Sequence, residues 1–289
     1  MGGLFGTLLV LVSAVAFGFM GLFRGWAVGS GGSTATVLAL RFGLAAVALW
    51  VVVAAKGGRV PRGWRLWALA GMGAGLYFGM SLCFFTAIDY GVPTGLVSLL
   101  LYLYPGIVTV LSWALLRERL TRGRLVALGV ALAGSALTVG PVEGVSGLGI
   151  ALGVGAAVVY SIYILMGTRA MEGAEALPAS AVVVTGAACS YAALAVAQGP
   201  ALPTGVMGWA GVGGLALVAT VVAIVAFLAG LARVGPVRAS TLSTCEAATT
   251  VAVGWLLLGE RISPVQAVGG VLILAAAVLT ARASVGRGE

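Results

Sequence analysis

The sequence predicts an all-α integral membrane protein, ten transmembrane helices built as two inverted five-helix repeats. Three observations carry the prediction. Hydrophobic residues make up 61% of the 289-residue chain and charged residues only 8%, against roughly 25% charge in a soluble domain. The apolar residues gather in runs of about 20, the length an α-helix needs to cross ~30 Å of hydrocarbon, whereas barrel strands would alternate over about ten residues. The basic residues, finally, collect in every second connection.

Ten runs fit the pattern, at residues 4-23, 34-55, 65-87, 93-115, 123-139, 147-167, 177-197, 208-231, 236-258 and 264-282. With the N-terminus in the cytoplasm, the inside segments hold Lys56, Arg59, Arg62, Arg65, Arg117, Arg119, Arg122, Arg124, Arg169, Arg233, Arg238, Arg282 and Arg287. The outside loops hold Arg24 and Arg261. A split of thirteen against two sets this orientation by the positive-inside rule, with both termini cytoplasmic, and losing one helix would scramble it. The net charge of +8 is therefore a topological signal, and no nucleic-acid partner is expected.

Taken in order, the first run lacks a basic n-region and is read as a retained helix, not a cleaved signal peptide. Gly18 and Gly21 beside Phe17 and Phe19 could mark a bend or opening in it. The second run carries Arg41 a third of the way in, expected to snorkel outward along the apolar surface, the other reading being that it holds a carboxylate. In the third, Gly71, Gly75 and Gly79 form a small-residue ridge, and Gly21 with Gly25 and Gly149 with Gly153 mark similar close approaches. Asp89 at its end reads as a solvated turn residue.

The fourth run opens at Gly91-Val92-Pro93 and ends in Trp113 to Thr121; the ninth opens at Gly235-Pro236-Val237 and ends in Trp255 to Ser263. Aligned from those ends, Tyr104 matches Glu246 and Trp113 matches Trp255. The chain thus divides into repeats at 1-140 and 141-289. Five spans each is an odd number, so the second copy is inserted upside down, the build of transporters whose site lies at the midplane between halves. Thr121 and Ser263 suit N-cap positions and Pro264 a first helical position. Glu118 and Glu260, each beside arginines, read as interfacial pairs. Trp64, Trp67, Trp113, Trp209 and Trp255 lie near span ends as interface anchors.

The ninth run holds the most informative stretch, Ser240 to Thr250, which reads as part of one unbroken helix. At about 1.5 Å per residue, Glu246 is roughly 20 Å from the charged end at Glu260 and about 15 Å from Pro236, near the midplane. An ionised group there costs about 3 kcal/mol on insertion scales. Ser243, Thr249 and Thr250 share its face, being three and four residues away. Either the hydroxyls back-bond within their helix and a protonated Glu246 ties two helices together, or the stripe lines a water-accessible cavity and Glu246 binds a cation, a proton or an amine. Tyr77, Tyr102, Tyr104, Tyr160 and Tyr163 also fall inside spans, where a buried hydroxyl needs a partner and a ring can meet a cation.

Enzyme chemistry is poorly supplied. Histidine is absent, so no His-based triad or His-ligated metal forms, and no Gly-x-x-x-x-Gly-Lys-Ser/Thr loop is present to bind ATP. The three cysteines, Cys83, Cys189 and Cys245, lie inside apolar runs with no metal-ligand spacing. No cofactor and no metal is expected.

The two five-helix halves, Gly235-Pro236 with Arg238-Ala239-Ser240, and the Gly-Trp-Leu-Leu-Leu-Gly-Glu-Arg run from Gly254 to Arg261 resemble the drug/metabolite transporter superfamily in its EamA-type branch. The resemblance covers nearly the whole chain. It implies alternating access around a central cavity built from both halves, and a role moving amino acids, related metabolites or toxic compounds, often outward. Glu246-Ala247 stands where relatives often show Glu-Pro, and Phe17-Gly18 where many show Trp-Gly. The expected reading is a secondary transporter in the cytoplasmic membrane of a prokaryote that exports a small amphipathic solute. Its site would hold Glu246, Ser243, Thr250, Tyr77, Tyr102, Tyr160 and Phe17. Desolvation penalises the ionised carboxylate, so Glu246 is also the candidate for proton coupling. The rival reading is a non-transporting scaffold or assembly partner with a dry interior, and an intramembrane enzyme is a distant third.

Overall fold

The computed structural model describes residues 2–92, 94–117, 121–139, 146–258 and 263–285, and every regular element among them is helical. Among the described residues, ten rods follow one another. α1 is Gly2–Gly18 continued by Met20–Gly29, α2 is Thr34–Lys56, and α3 joins Trp64–Gly71, Met72–Tyr77 and Phe78–Asp89. α4 is Thr94–Leu101 with Tyr104–Leu116, α5 is Arg122–Val139, α6 is Gly147–Ala170 and α7 is Ala176–Gln198. α8 joins Gly205–Ala216, Leu217–Val222 and Ala223–Val234, α9 is Pro236–Ser243 with Cys245–Leu258, and α10 is Pro264–Val285. Six of these, the spans Gly3–Gly29, Thr34–Lys56, Trp64–Ala87, Gly147–Ala170, Ala176–Gln198 and Gly205–Val234, are long and apolar enough to cross a membrane alone. Shorter apolar helices lie at Tyr104–Leu116, Leu125–Leu137 and Ala267–Leu279.

Large apolar side chains cover the outside, Val47, Val110, Leu256 and Val271 among them. Lipid tails are as apolar as leucine, so burial alone cannot order such helices, and close packing does it instead. The packing follows the repeat. α2 lies against α7 and α5 against α10, while α1 packs on α8 and α9 just as α6 packs on α3 and α4. Exchanging each helix with the one five places on leaves this pattern unchanged, as a two-fold axis relating inverted halves requires.

Four irregularities obey the same exchange. The third helix of each half widens into a π-helical segment, Met72–Tyr77 in α3 and Leu217–Val222 in α8. The fourth helix of each half tightens instead. In α4, Leu103 donates to the Leu100 carbonyl at 3.2 Å and Gly106 to that of Leu103 at 3.0 Å. In α9, Thr244 donates to Thr241 at 3.3 Å and Ala247 to Thr244 at 3.0 Å. These are bonds across three residues, which close a tighter turn than the α-helix.

Two expectations about helix shape are corrected here. α9 is not one unbroken helix. Pro105, which has no N–H to donate, explains the interruption in α4. α9 has no proline at that place, and its hydroxyls compete for the backbone instead, with Thr244 Oγ1 donating to the Thr241 carbonyl at 2.7 Å and Ser243 Oγ to that of Ala239 at 2.9 Å. α1 is interrupted at Phe19, immediately after Gly18.

The glycine ridges are also corrected in part. A Cβ on Gly71, Gly75, Gly21 or Gly25 would meet nothing within 4 Å, whereas one on Gly73 would collide with the Val183 carbonyl oxygen of α7. The π-helical segment begins at Met72 and rotates the close-packed face away from the ridge read from the sequence. Gly149 and Gly153 do pack closely, since a Cβ on the first would collide with Val92 and one on the second with Leu100. The five tryptophans expected at the interface are all exposed, and Pro264 opens α10. Glu118 and Glu260 with their arginine neighbours Arg119 and Arg261 lie outside the described residues, as does the side chain of Asp89.

Candidate functional site

The interruption at Thr244 puts Glu246 in the first turn of the second piece of α9. Its side chain is half-buried and makes no hydrogen bond or ion pair with another described residue. Opposite it, α1 comes close because residue 18 has no side chain. A Cβ on Gly18 would lie 2.5 Å from Thr249 Cβ and 3.3 Å from the Glu246 carbonyl oxygen. Thr250 Oγ1 shares its hydrogen between that carbonyl at 3.0 Å and the Gly18 carbonyl at 3.4 Å, beside the interruption of α1. The two-fold counterpart of this junction is α6 on α4, where Ser161 Oγ reaches the Tyr104 carbonyl at 3.3 Å.

A run of aromatic rings leads from the neighbourhood of the carboxyl toward Arg41. Tyr104 meets Tyr160 edge-on at 4.8 Å, Tyr160 stacks on Tyr163 at 5.7 Å, and Tyr163 meets Tyr77 at 5.8 Å. Tyr77 meets Phe42 at 5.4 Å, Phe42 stacks on Tyr191 at 5.3 Å, and Tyr191 meets Phe78 at 5.1 Å. Such offset and edge-on pairs contribute beyond their buried area, which makes the run a firm wall. Tyr104 donates to the Ser240 carbonyl at 3.3 Å, tying the wall to α9. Tyr77, Tyr102, Tyr104 and Tyr160 all lie within electrostatic reach of Glu246.

Arg41 overturns its expectation. It is 2% exposed and does not snorkel. Its Nε donates to Thr220 Oγ1 at 2.6 Å, one terminal nitrogen to the Ala219 carbonyl at 2.7 Å and the other to the Met20 sulfur at 3.0 Å. Its flat face lies 4.8 Å from the Phe42 ring centre, and the Tyr77 hydroxyl sits beside it. A cation cannot be buried without such partners. Three irregular segments supply them: the interruption of α1 through Met20, the π-helical segment of α8 through Thr220 and Ala219, and that of α3 through Tyr77. The guanidinium is also within electrostatic reach of Glu246, without a hydrogen bond between them.

Of the residues singled out from the sequence, Glu246, Tyr102 and Tyr160 are brought together with partly open surfaces. Tyr77 is 6% exposed and faces Arg41. Ser243 is buried with its hydroxyl turned to its own helix, Thr250 is exposed but bonded to backbone, and Phe17 is part of the core. Sequence reasoning left out Arg41 and Tyr104 from the site. A cation inside an apolar run was the available signal for the first, and the register match with Glu246 for the second. Away from this region, a cleft of about 590 Å³ opens between the ends of α2 and α8 and the α6–α7 turn, with Lys56, Glu175 and Arg233 on its rim.

The family model described as the EamA-like transporter family matches residues 4–140 and again 147–282. A search of curated proteins gave no match. Among solved structures, one titled only as the crystal structure of a protein superposes with a TM-score of 0.85 at 20% identity, over 95% of this chain and 97% of that one. At that identity the likeness shows the shared fold.

Proposed function

The chain belongs to the EamA-like transporter family, and from that premise we propose that it exports a small amphipathic solute, an amino acid or an amine. The membrane is a prokaryotic cytoplasmic membrane with both chain ends on the inside. The repeats at 1-140 and 141-289 rock against each other and open a midplane cavity to one side at a time.

The observation that supports this reading most is the Glu246 carboxyl, half-buried and unpaired at the junction of α1 and α9. A scaffold would tie such a group to a neighbouring helix, since an unsatisfied polar group in hydrocarbon is costly. A solute amine meets the carboxylate, with the Tyr102 and Tyr160 rings beside it for cation–π contact. Ser243, Thr250, Tyr77 and Phe17 complete the surroundings. When the site is empty a proton neutralises Glu246, and the amine takes its place, so that outward movement of solute is exchanged for inward movement of a proton.

The test compares solutes in medium and cytoplasm of cells producing the wild-type chain, Glu246→Gln, or neither. Loss of a few solutes from the wild-type cells alone is the expected result. If both proteins move the same solute, Glu246 reverts to a structural part. If neither differs from empty cells although folded protein is in the membrane, and labelled-solute influx is also absent, the transport reading of this chain is wrong.

A further inference from the structure

Resting on the transport reading, we infer that Glu246 is the latch of the cavity's mouth: its protonated carboxyl closes the mouth by donating to the backbone of α4, and the ionised carboxylate keeps it open. The two-fold exchange holds for the rods but fails at their ends. At the end that carries Leu116 and Pro236, Tyr104–Leu116 packs on Pro236–Ser243, and α6 packs on Pro236–Ser243 and on Ala223–Val234. The exchange calls for three matching contacts at the other end: Cys245–Leu258 on Thr94–Leu101, and α1 on Thr94–Leu101 and on Phe78–Asp89. Among the described residues none of these three pairs packs closely. Arg24 of α1 instead reaches out with its guanidinium, 5.1 Å from the centre of the Phe85 ring of α3. One end is shut. The other, which the proposed orientation puts outside, is open from the helix interruptions onward, beginning beside Glu246 in α9 and Tyr102 in α4.

The shut end shows how such a contact is fastened. In α9 Thr244 donates to Thr241, which leaves the Ser240 carbonyl without its helical donor, and the Tyr104 hydroxyl takes that carbonyl at 3.3 Å. Exchange of the halves carries this bond to the open end. Glu246 stands in the place of Tyr104 by the match of the helix ends. The flanking helices agree, since α6 approaches the Tyr104 carbonyl through Ser161 as α1 approaches the Glu246 carbonyl through Gly18. The acceptors are then the carbonyls just before the tightened turn of α4, those of Ser98 and Leu99.

A phenol keeps its hydrogen at physiological pH, whereas a carboxyl has one to donate only when protonated. The ionised form would meet these carbonyls oxygen to oxygen in a mouth emptied of water, so it favours the open state. A solute ammonium seated on the carboxylate supplies the missing donors. The mouth therefore closes on either cargo but not on the empty, ionised carrier, which is the condition for exchanging a proton for an amine. The interruptions of α4 and α9 let each end piece swing without the other. The charged and titratable groups that act on Glu246 are Arg41 of α2, Tyr77 of α3, Tyr102 and Tyr104 of α4 and Tyr160 of α6. Arg24 of α1 is turned to Phe85 and Thr34, Cys245 lies in the core, and α5 and α10 contribute none among the described residues. Arginine stays charged and phenols stay neutral through the physiological range, which leaves Glu246 as the group that changes.

The experiment uses the full chain, its three cysteines replaced, in proteoliposomes without solute. Spin labels on Leu96→Cys with Trp255→Cys span the mouth, and labels on Trp113→Cys with Arg238→Cys span the shut end. Distances are read by pulsed electron resonance at alkaline and at acid pH. The expected result is that acid brings the mouth pair together and parts the other pair. Glu246→Gln, whose amide can donate at every pH, should raise the closed-to-open ratio of the mouth about 10-fold at alkaline pH and remove the response to acid. Tyr104→Phe, which loses the fastening at the shut end, should shift the ratio the same way and keep the response. A mouth distance that ignores pH overturns the inference, and so does a response to acid that survives Glu246→Gln; the unsubstituted latch and Tyr104→Phe decide the matter even if Glu246→Gln does not fold. If solute is moved in the cell comparison while the mouth distance stays constant, the latch falls and the transport reading stands. If the mouth follows pH through Glu246 but no solute is moved in either direction, the transport reading falls and the latch stands.

Discussion

Replacing Gly18 by alanine adds one methyl group where α1 comes closest to α9. That methyl would sit 2.5 Å from Thr249 Cβ and 2.6 Å from its Cγ2. Carbon atoms in favourable contact are about 3.5–4.0 Å apart, so the helices must part by about 1 Å or Thr249 must leave its rotamer. Thr249 is held by a hydrogen bond from Oγ1 to the Cys245 carbonyl at 3.0 Å, and the Glu246 carbonyl 3.3 Å away limits a sideways shift. Overpacking of this kind costs about 1–3 kcal/mol. Alanine is also a better helix former than glycine by about 1 kcal/mol, which works the other way. Gly21→Ala isolates that gain, because nothing lies within 4 Å of a Cβ there. The assay is thermal unfolding in detergent, followed by a thiol-reactive dye on a Cys83→Ser, Cys189→Ser background. Cys245, 5% exposed and next to the junction, is then the reporter. Gly18→Ala should melt several degrees below Gly21→Ala. Coincident melting of the two would mean that α1 and α9 do not meet at Gly18, and the account of the site would lose its frame.

Three more outcomes follow from the same geometry. Gly73→Ala forces a methyl into the Val183 carbonyl oxygen, a backbone atom that cannot turn aside, so little folded protein should survive size-exclusion, while Gly75→Ala should behave as wild type. Thr220→Val removes the oxygen that accepts from Arg41 Nε at 2.6 Å and leaves a buried charged donor unmet, a loss of about 3 kcal/mol or more; the measurement is melting temperature beside Thr220→Ser, which keeps the oxygen and should retain most of the stability. Glu246→Gln should abolish solute movement yet melt at or above the wild-type temperature, because an unpaired half-buried carboxyl gives the fold nothing and functional groups are often kept at the expense of stability. A large fall in melting temperature for Glu246→Gln would point to a structural role instead.

The fold was legible because it follows from one-dimensional quantities. Apolar run length sets the span, and an odd number of spans per repeat sets the inversion. The expected runs agree with the observed helices to within three residues at every end except that of α1, which runs on to Gly29. Glu246 could be singled out as a candidate, since a carboxylate in hydrocarbon needs a reason to be there. What the sequence could not yield are the departures from the ideal helix. A π-helical or tightened turn differs from its neighbours by small dihedral changes, and the choice depends on which hydroxyl or carbonyl arrives from another helix. Those departures decided the rest: that Gly73 and not Gly75 meets α7, that α9 is interrupted without a proline, and that Arg41 faces inward. Arg41 has a side chain long enough to reach lipid headgroups or the protein interior, and only the tertiary structure supplies Thr220, the Ala219 carbonyl and Met20 as the acceptors that make burial the better place.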